Sequence, residues 1–240
     1  MSDMYLPINL PSQGRTYNVP AESISIRPYN GEDEMLLAQI NPVNLERNFL
    51  TVLKRVVQGI DPKQLTLGDR LYIIIWEYIN SYSETIRVKD IVCSHCLKKS
   101  DFVVDLRKLD VVSLSEGIPV IQDVELPISK QMVKLRILTV GDEVEVEKFQ
   151  ENNPADAYFY RWARSIVGDK DVVTLIQEMK KWPAKDLARV RMFQEDMDHG
   201  PKTSILTACP KCGEEEEVAV PFRLELFYPY GEDLRNCFKS

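Results

Sequence analysis

The sequence predicts an α+β protein of two pseudo-repeated halves, each running from a β entry through helices to a β zinc knuckle, joined through a shared four-cysteine metal site. Three observations predict it. Cys93-Ser-His-Cys96 and Cys209-Pro-Lys-Cys212 are Cys-x-x-Cys turns, and two such turns complete a tetrahedral four-thiolate shell around one ion. Alternating, β-branched stretches flank both turns: residues 84–92 and 101–104 around the first, 202–208 and 217–221 around the second. Finally, Ser25-Ile-Arg27 leads through Gly31 to Asp33 and Glu34 as Lys134-Leu-Arg136 leads through Gly141 to Asp142 and Glu143. The arginines and the aspartates are each 109 residues apart (136 − 27 and 142 − 33), and the knuckles 116 (209 − 93), so a small insertion in the second copy relates the two. The expected units are residues 1–112, with the knuckle at 93–96, and residues 113–240, with the knuckle at 209–212.

Taken in order, residues 5–17 carry Pro7, Pro11 and Gly14, which exclude a long helix and favour extended segments around a turn. Residues 23–27 alternate as a strand. Gly31-Glu-Asp-Glu34 opens a helix, its carboxylates facing the positive end of the dipole. Leu45, Phe49, Leu53 and Val56 recur at helical spacing until Gly59 and Pro62 stop the pattern. Thr66-Leu-Gly-Asp69 starts a central helix in which Leu71, Ile74, Ile75, Tyr78, Ile79 and Tyr82 form a broad core face around Trp76. Residues 105–109 suggest a short helical turn, and 113–117 the boundary between halves. Residues 120–128 and 132–138 read as strands and 142–149 as a helix. Pro154 then leads a helix over 155–167, with Tyr158, Phe159, Trp162 and Ile166 in register. Two more helices, 172–182 and 184–197, are separated by Pro183 and end at Gly200-Pro201. Residues 222–230 are rich in aromatics, which suits a final packed strand first and an interaction surface second.

Composition narrows the function. With 44% hydrophobic and 28% charged residues, the 240-residue chain has the make-up of an ordinary globular protein. It has no apolar run of membrane-spanning length, and residues 1–10 do not resemble a secretory signal, so no membrane role is expected. In a reducing cytoplasm, closely spaced cysteines serve as metal ligands rather than disulfides. A net charge of −7 and a pI near 5.1, with four glutamates from Glu214 to Glu217 beside the second knuckle, argue against a nucleic-acid partner.

Cys93, Cys96, Cys209 and Cys212 are therefore the candidate ligands of a structural zinc ion, because an all-thiolate shell leaves no open position for water or substrate. An iron-sulfur cluster is the alternative that ligand type alone allows. A redox pair is disfavoured, since such motifs sit between strand and helix. His95 lies inside a shell already filled, His199 at a helix end is expected to cap or face water, and Cys237 reads as an unpaired thiol. No glycine-rich phosphate loop, Gly-x-Ser-x-Gly or His-Glu-x-x-His appears, so no catalytic residues are assigned and no enzyme is expected.

Leu10-Pro-Ser-Gln-Gly14, Ile26-Arg27, Glu32-Asp-Glu34, Gly59-Ile-Asp61, the helix start at Leu67 to Asp69, Ser81-Tyr82, and Cys93-x-x-Cys96 before Asp105-Leu106 occur in that order. In this order they resemble the baseplate hub proteins of T-even-like contractile-tailed bacteriophages, chiefly over residues 10–109, with the second knuckle as a looser echo. The resemblance implies a non-enzymatic structural or assembly protein that binds other baseplate hub and tail proteins. Its place would be the virion tail baseplate, or the host cytoplasm during assembly, and an oligomer is compatible with that role. The other class is a zinc-ribbon adaptor or assembly chaperone acting through protein contacts outside a virion.

Overall fold

A computed structural model describes residues 4–17 and 19–220 and shows a mixed α+β chain of small antiparallel sheets and seven helices among those residues. The chain opens with β1 (Leu6–Pro7), β2 (Ser25–Ile26), α1 (Gly31–Leu37), α2 (Leu45–Val56) and β3 (Val57–Gln58). β2 lies in the middle of a three-stranded sheet, with Ser25 opposite Gln58 and Ile26 opposite Val57. Asn30 caps α1 in a reciprocal capping box with Asp33, which satisfies donors that a bare helix start leaves open. Leu37, Phe49, Leu53 and Val56 turn inward to build the first core with Ile24 and Ile26.

α3 (Leu67–Ser81) is the central helix of this half and is capped by Thr66. One side, through Ile73 and Ile74, joins the first core. The other, through Ile75 and Tyr78, supports the hairpin of β4 (Thr85–Val92) and β5 (Lys99–Asp105). The helix thus carries the knuckle on its back. Ile73, outside the expected apolar face, is fully buried.

Residues 113–117 have no regular structure but are held to the first half: Leu114 N–H donates to Pro11 O at 2.9 Å, and Arg15 reaches the carbonyls of Leu114, Ser115 and Ile118. They follow β6 (Val111–Val112). Next come β7 (Ile121–Glu125), β8 (Met132–Arg136), α4 (Val140–Asn152), α5 (Ala157–Ala163) and β9 (Ile166–Val167). β8 is the middle strand of the second three-stranded sheet, with Lys134 opposite Val167 and Leu135 opposite Ile166.

Here the expected helix over 155–167 is corrected. Residues 154–156 form a turn, the helix spans Ala157–Ala163, and Ile166 enters β9. The Ser165 carbonyl accepts from Arg136 N–H at 2.9 Å, so sheet pairing ends the helix where apolar spacing alone would continue it. α6 (Val172–Met179) and α7 (Ala184–Asp196) follow and close the second core with Leu126, Leu135, Val190 and Phe193. Gly200–Pro201, expected only as a helix stop, forms β10 and pairs with β6. The described chain finishes with the hairpin of β11 (Ser204–Ala208) and β12 (Glu215–Ala219). The aromatic stretch 222–230 and Cys237 lie outside the described residues.

The halves pack on each other. α4 contributes Val140 and Val144 to the first core. Glu147 on its far end accepts from the N–H groups of Glu46 and Arg47, at 2.8 and 3.1 Å, and from the Arg47 side chain.

Candidate metal centre

Each hairpin reverses through the same set of bonds. In the first, Cys93 N–H donates to Lys98 O (3.2 Å) and Leu97 N–H to Cys93 O (3.0 Å); in the second, Cys209 N–H donates to Glu214 O (2.8 Å) and Gly213 N–H to Cys209 O (2.9 Å). The turn requires a left-handed residue after the second cysteine, filled by Leu97 (φ 56°) in one hairpin and Gly213 (φ 80°) in the other. Both turns tip their two sulfurs to the same side.

The four sulfurs converge although the pairs lie 116 residues apart. Cys93 Sγ is 3.8 Å from Cys212 Sγ, Cys96 Sγ is 3.9 Å from Cys209 Sγ, and all four lie within 4.8 Å of one another. Four thiolates held tetrahedrally at about 2.3 Å from one ion stand about 3.8 Å apart, so the spacing fits a single metal ion. Cys93 and Cys209 are buried against Ile75, Tyr78, Phe102, Val104 and Val218, while Cys212 reaches the surface. The inner pair rests on the platform that α3 provides.

The bare thiols are unequal. The backbone N–H of Lys211, 3.4 Å from Cys209 Sγ, leads the donors that bring Cys209 down to about 6 against the cost of burial. Cys93 is pushed up to about 12: the N–H groups of Cys96 and His95 favour its thiolate, but burial and the neighbouring Cys209 and Cys212 thiols outweigh them. A thiol lowered in this way at Cys209 would suit a cation, whose charge would favour ionisation of the others.

A clamp beside the sulfurs was not legible in the sequence. Glu216 accepts from Ser94 N–H at 2.7 Å and from Ser94 Oγ at 2.9 Å, and the Ser94 N–H is the main cause that holds its carboxyl below the usual range. His95 Nε2–H donates to Glu215 O at 3.1 Å; it faces the opposite hairpin and stays out of the sulfur cluster. The acidic run next to the second knuckle therefore holds the first. Ser94 and Glu216 carry no signature beyond adjacency to ligands, so only the folded geometry reveals them.

His199 differs from its expected exposed or capping role. It is 6% exposed, with Nδ1 2.9 Å from Met197 O and Nε2 2.7 Å from Thr66 Oγ1. It lies outside the cysteine cluster, which is the one group of three or more His, Cys, Asp or Glu donors with metal-holding spacing among the described residues. No helix among them is long and apolar enough to cross a membrane.

A family model described as T4 bacteriophage base plate protein matches residues 5–228, a span that includes both knuckles. No curated protein matches the chain. No solved structure matches it either.

Proposed function

The chain belongs to the T4 bacteriophage base plate protein family, and from that premise we propose that it is a non-enzymatic component or assembly factor of the central hub of the tail baseplate. It works by binding other hub and tail proteins. Cys93, Cys96, Cys209 and Cys212 hold one structural zinc ion that ties the first half of the chain to the second. The single observation that carries this reading is the convergence of four thiols, two from each half, at the spacing one tetrahedral ion requires. A multi-iron cluster spreads its thiolates over different metal atoms and asks for wider separations, which favours zinc.

The two halves, residues 1–112 and 113–240, are proposed to be copies of one unit. Support comes from interactions repeated along the chain, several of them at an offset of 109. Arg27 pairs with Asp33 at 2.6 Å and Arg136 with Asp142 at 2.7 Å; Arg55 and Arg164, also 109 residues apart (164 − 55), each donate Nε to the same aspartate at 2.8 and 2.9 Å. The pairs Ser25–Gln58 and Lys134–Val167 occupy matching register positions. At a larger offset of 117 (129 − 12 and 186 − 69), Ser12 N–H donates to Asp69 and Ser129 N–H to Asp186, each across 57 residues. The second copy has α6 where the first has only a 3-10 turn at Pro62–Gln64, which accounts for the larger offset of the knuckles.

The test is co-expression with the tail genes adjacent to its own, followed by affinity purification. A hub component brings at least one tail protein with it and turns over no substrate. Failure to retain any tail protein, together with salt-dependent DNA binding, would contradict the reading.

A further inference from the structure

The contacts of His199 do not fit an ionised aspartate beside a neutral histidine. Nδ1 faces the carbonyl of Met197, which can only accept, so Nδ1 carries a hydrogen. Nε2 faces Thr66 Oγ1 at 2.7 Å, and the same hydroxyl lies 2.7 Å from Asp69 Oδ2. Thr66 has one hydroxyl hydrogen to serve both.

If that hydrogen goes to Asp69, Nε2 must supply its own and His199 is an imidazolium. If it goes to Nε2, the contact between Thr66 and Asp69 needs a hydrogen from a protonated Asp69. Both arrangements leave every group bonded, since Thr66 Oγ1 also accepts from Asp69 N–H at 3.1 Å. Both contain one proton more than the ordinary pair. We infer that His199, Thr66 and Asp69 share one proton at neutral pH and form a proton-dependent latch between the end of α7 and the start of α3.

The surroundings favour retention of that proton. Thr66 and Asp69 are fully buried; burial raises the Asp69 carboxyl, opposed by the N–H of Ser12 and by the His199 charge. Tyr17 OH donates to Asp69 Oδ2, and Ser12 Oγ donates to Tyr17 at 2.9 Å. Charged groups near the His199 ring are mixed in sign. Arg161, Arg191, Glu195 and Asp198 line the cavity on one side, and Glu46, Arg70 and Lys202 the cavity on the other. The backbone leaves no slack, because a Cβ on Gly68 would lie 2.1 Å from the His199 carbonyl oxygen and one on Gly200 2.7 Å from that of Gly68. A lone-pair clash between Thr66 and either neighbour therefore has nowhere to relax.

The sign follows from linkage. The folded cluster keeps one proton that the unfolded chain gives up, so the latch's contribution is lost as pH rises past the point at which the cluster as a whole releases it. With only His95 and His199 in the chain, nitrogen-15 spectra of the histidine rings in the intact protein test this directly. About one pH unit above the ordinary histidine value, His199 should show either two protonated nitrogens, or Nδ1–H with a protonated Asp69 carboxyl in carbon-13 spectra. A neutral His199 beside an ionised Asp69 at that pH overturns the inference. Asp69→Asn supplies a permanent donor to Thr66, so its urea midpoint should fall less steeply from neutral pH upward than the wild-type midpoint does; parallel curves for the two proteins would also overturn it.

Discussion

Glu77 shows how far one buried side chain can set a pH profile. It is fully buried in α3, Ser81 Oγ donates to its Oε2 at 3.5 Å, and Oε1 has no hydrogen-bond partner. Burial pushes its carboxyl up to about 9, with the Arg27 charge opposing, so it folds as the neutral acid. Gln194, 117 residues further on (194 − 77), accepts from Leu138 N–H at 3.1 Å and donates to Arg136 O at 2.9 Å. Glu77→Gln should therefore stabilise at neutral pH by on the order of 1 kcal/mol or more. The folded carboxyl value lies above the unfolded one, so this contribution to wild-type stability is fully present below about 4.5 and falls as pH rises toward about 9; in pH-dependent urea titrations the variant's midpoint should fall less steeply over this range than the wild type's. A second residue-scale contrast lies in the knuckles. Leu97 is 77% exposed at a left-handed position, so Leu97→Gly should leave stability within about 0.5 kcal/mol of wild type. Gly213→Leu should cost about 1 kcal/mol in thermal melts, from backbone strain alone, because a Cβ there meets nothing within 4 Å.

At the scale of elements, the two hairpins should behave as one unit. β4–β5 and β11–β12 meet at the sulfurs and through the Ser94–Glu216 clamp, and structural metal binding is coupled to folding. Cys209→Ser should lower amide exchange protection in both hairpins by about tenfold or more, as should a chelator on the wild type. Loosening confined to β11–β12 would show that each hairpin stands alone. The elements also show what local sequence encodes. α1, α2 and α3 were legible because local signals agree: Glu32, Asp33 and Glu34 in the first turn of α1, Phe49 and Leu53 on one face of α2 with Gly59 as a stop, and Thr66 at the start of α3. The end of α5 was not, because Ile166 keeps helical spacing while its backbone is claimed by β8. His199 was misread for the same reason, as its partner Thr66 is 133 residues away.

In the whole molecule, the two halves are joined through α4 packed on the first core, the buried Thr66–His199 contact and the convergence of four cysteine sulfurs. The last was the most legible, since two Cys-x-x-Cys turns between strands carry their chemistry in their spacing; the packing of α4 against α2 left no mark on local pattern. Family membership places such a chain in a phage baseplate, where a structural component cross-linked in this way would fit a mechanical role. The central claim is that one metal ion takes two thiolates from each half. X-ray absorption at the metal edge of the purified, intact protein, with its metal content measured on the same sample, tests it most directly. The account predicts one zinc per chain with four sulfur neighbours at about 2.3 Å. Two ions per chain, a shell of two sulfurs completed by nitrogen or oxygen, or a metal–metal distance of a cluster would contradict it.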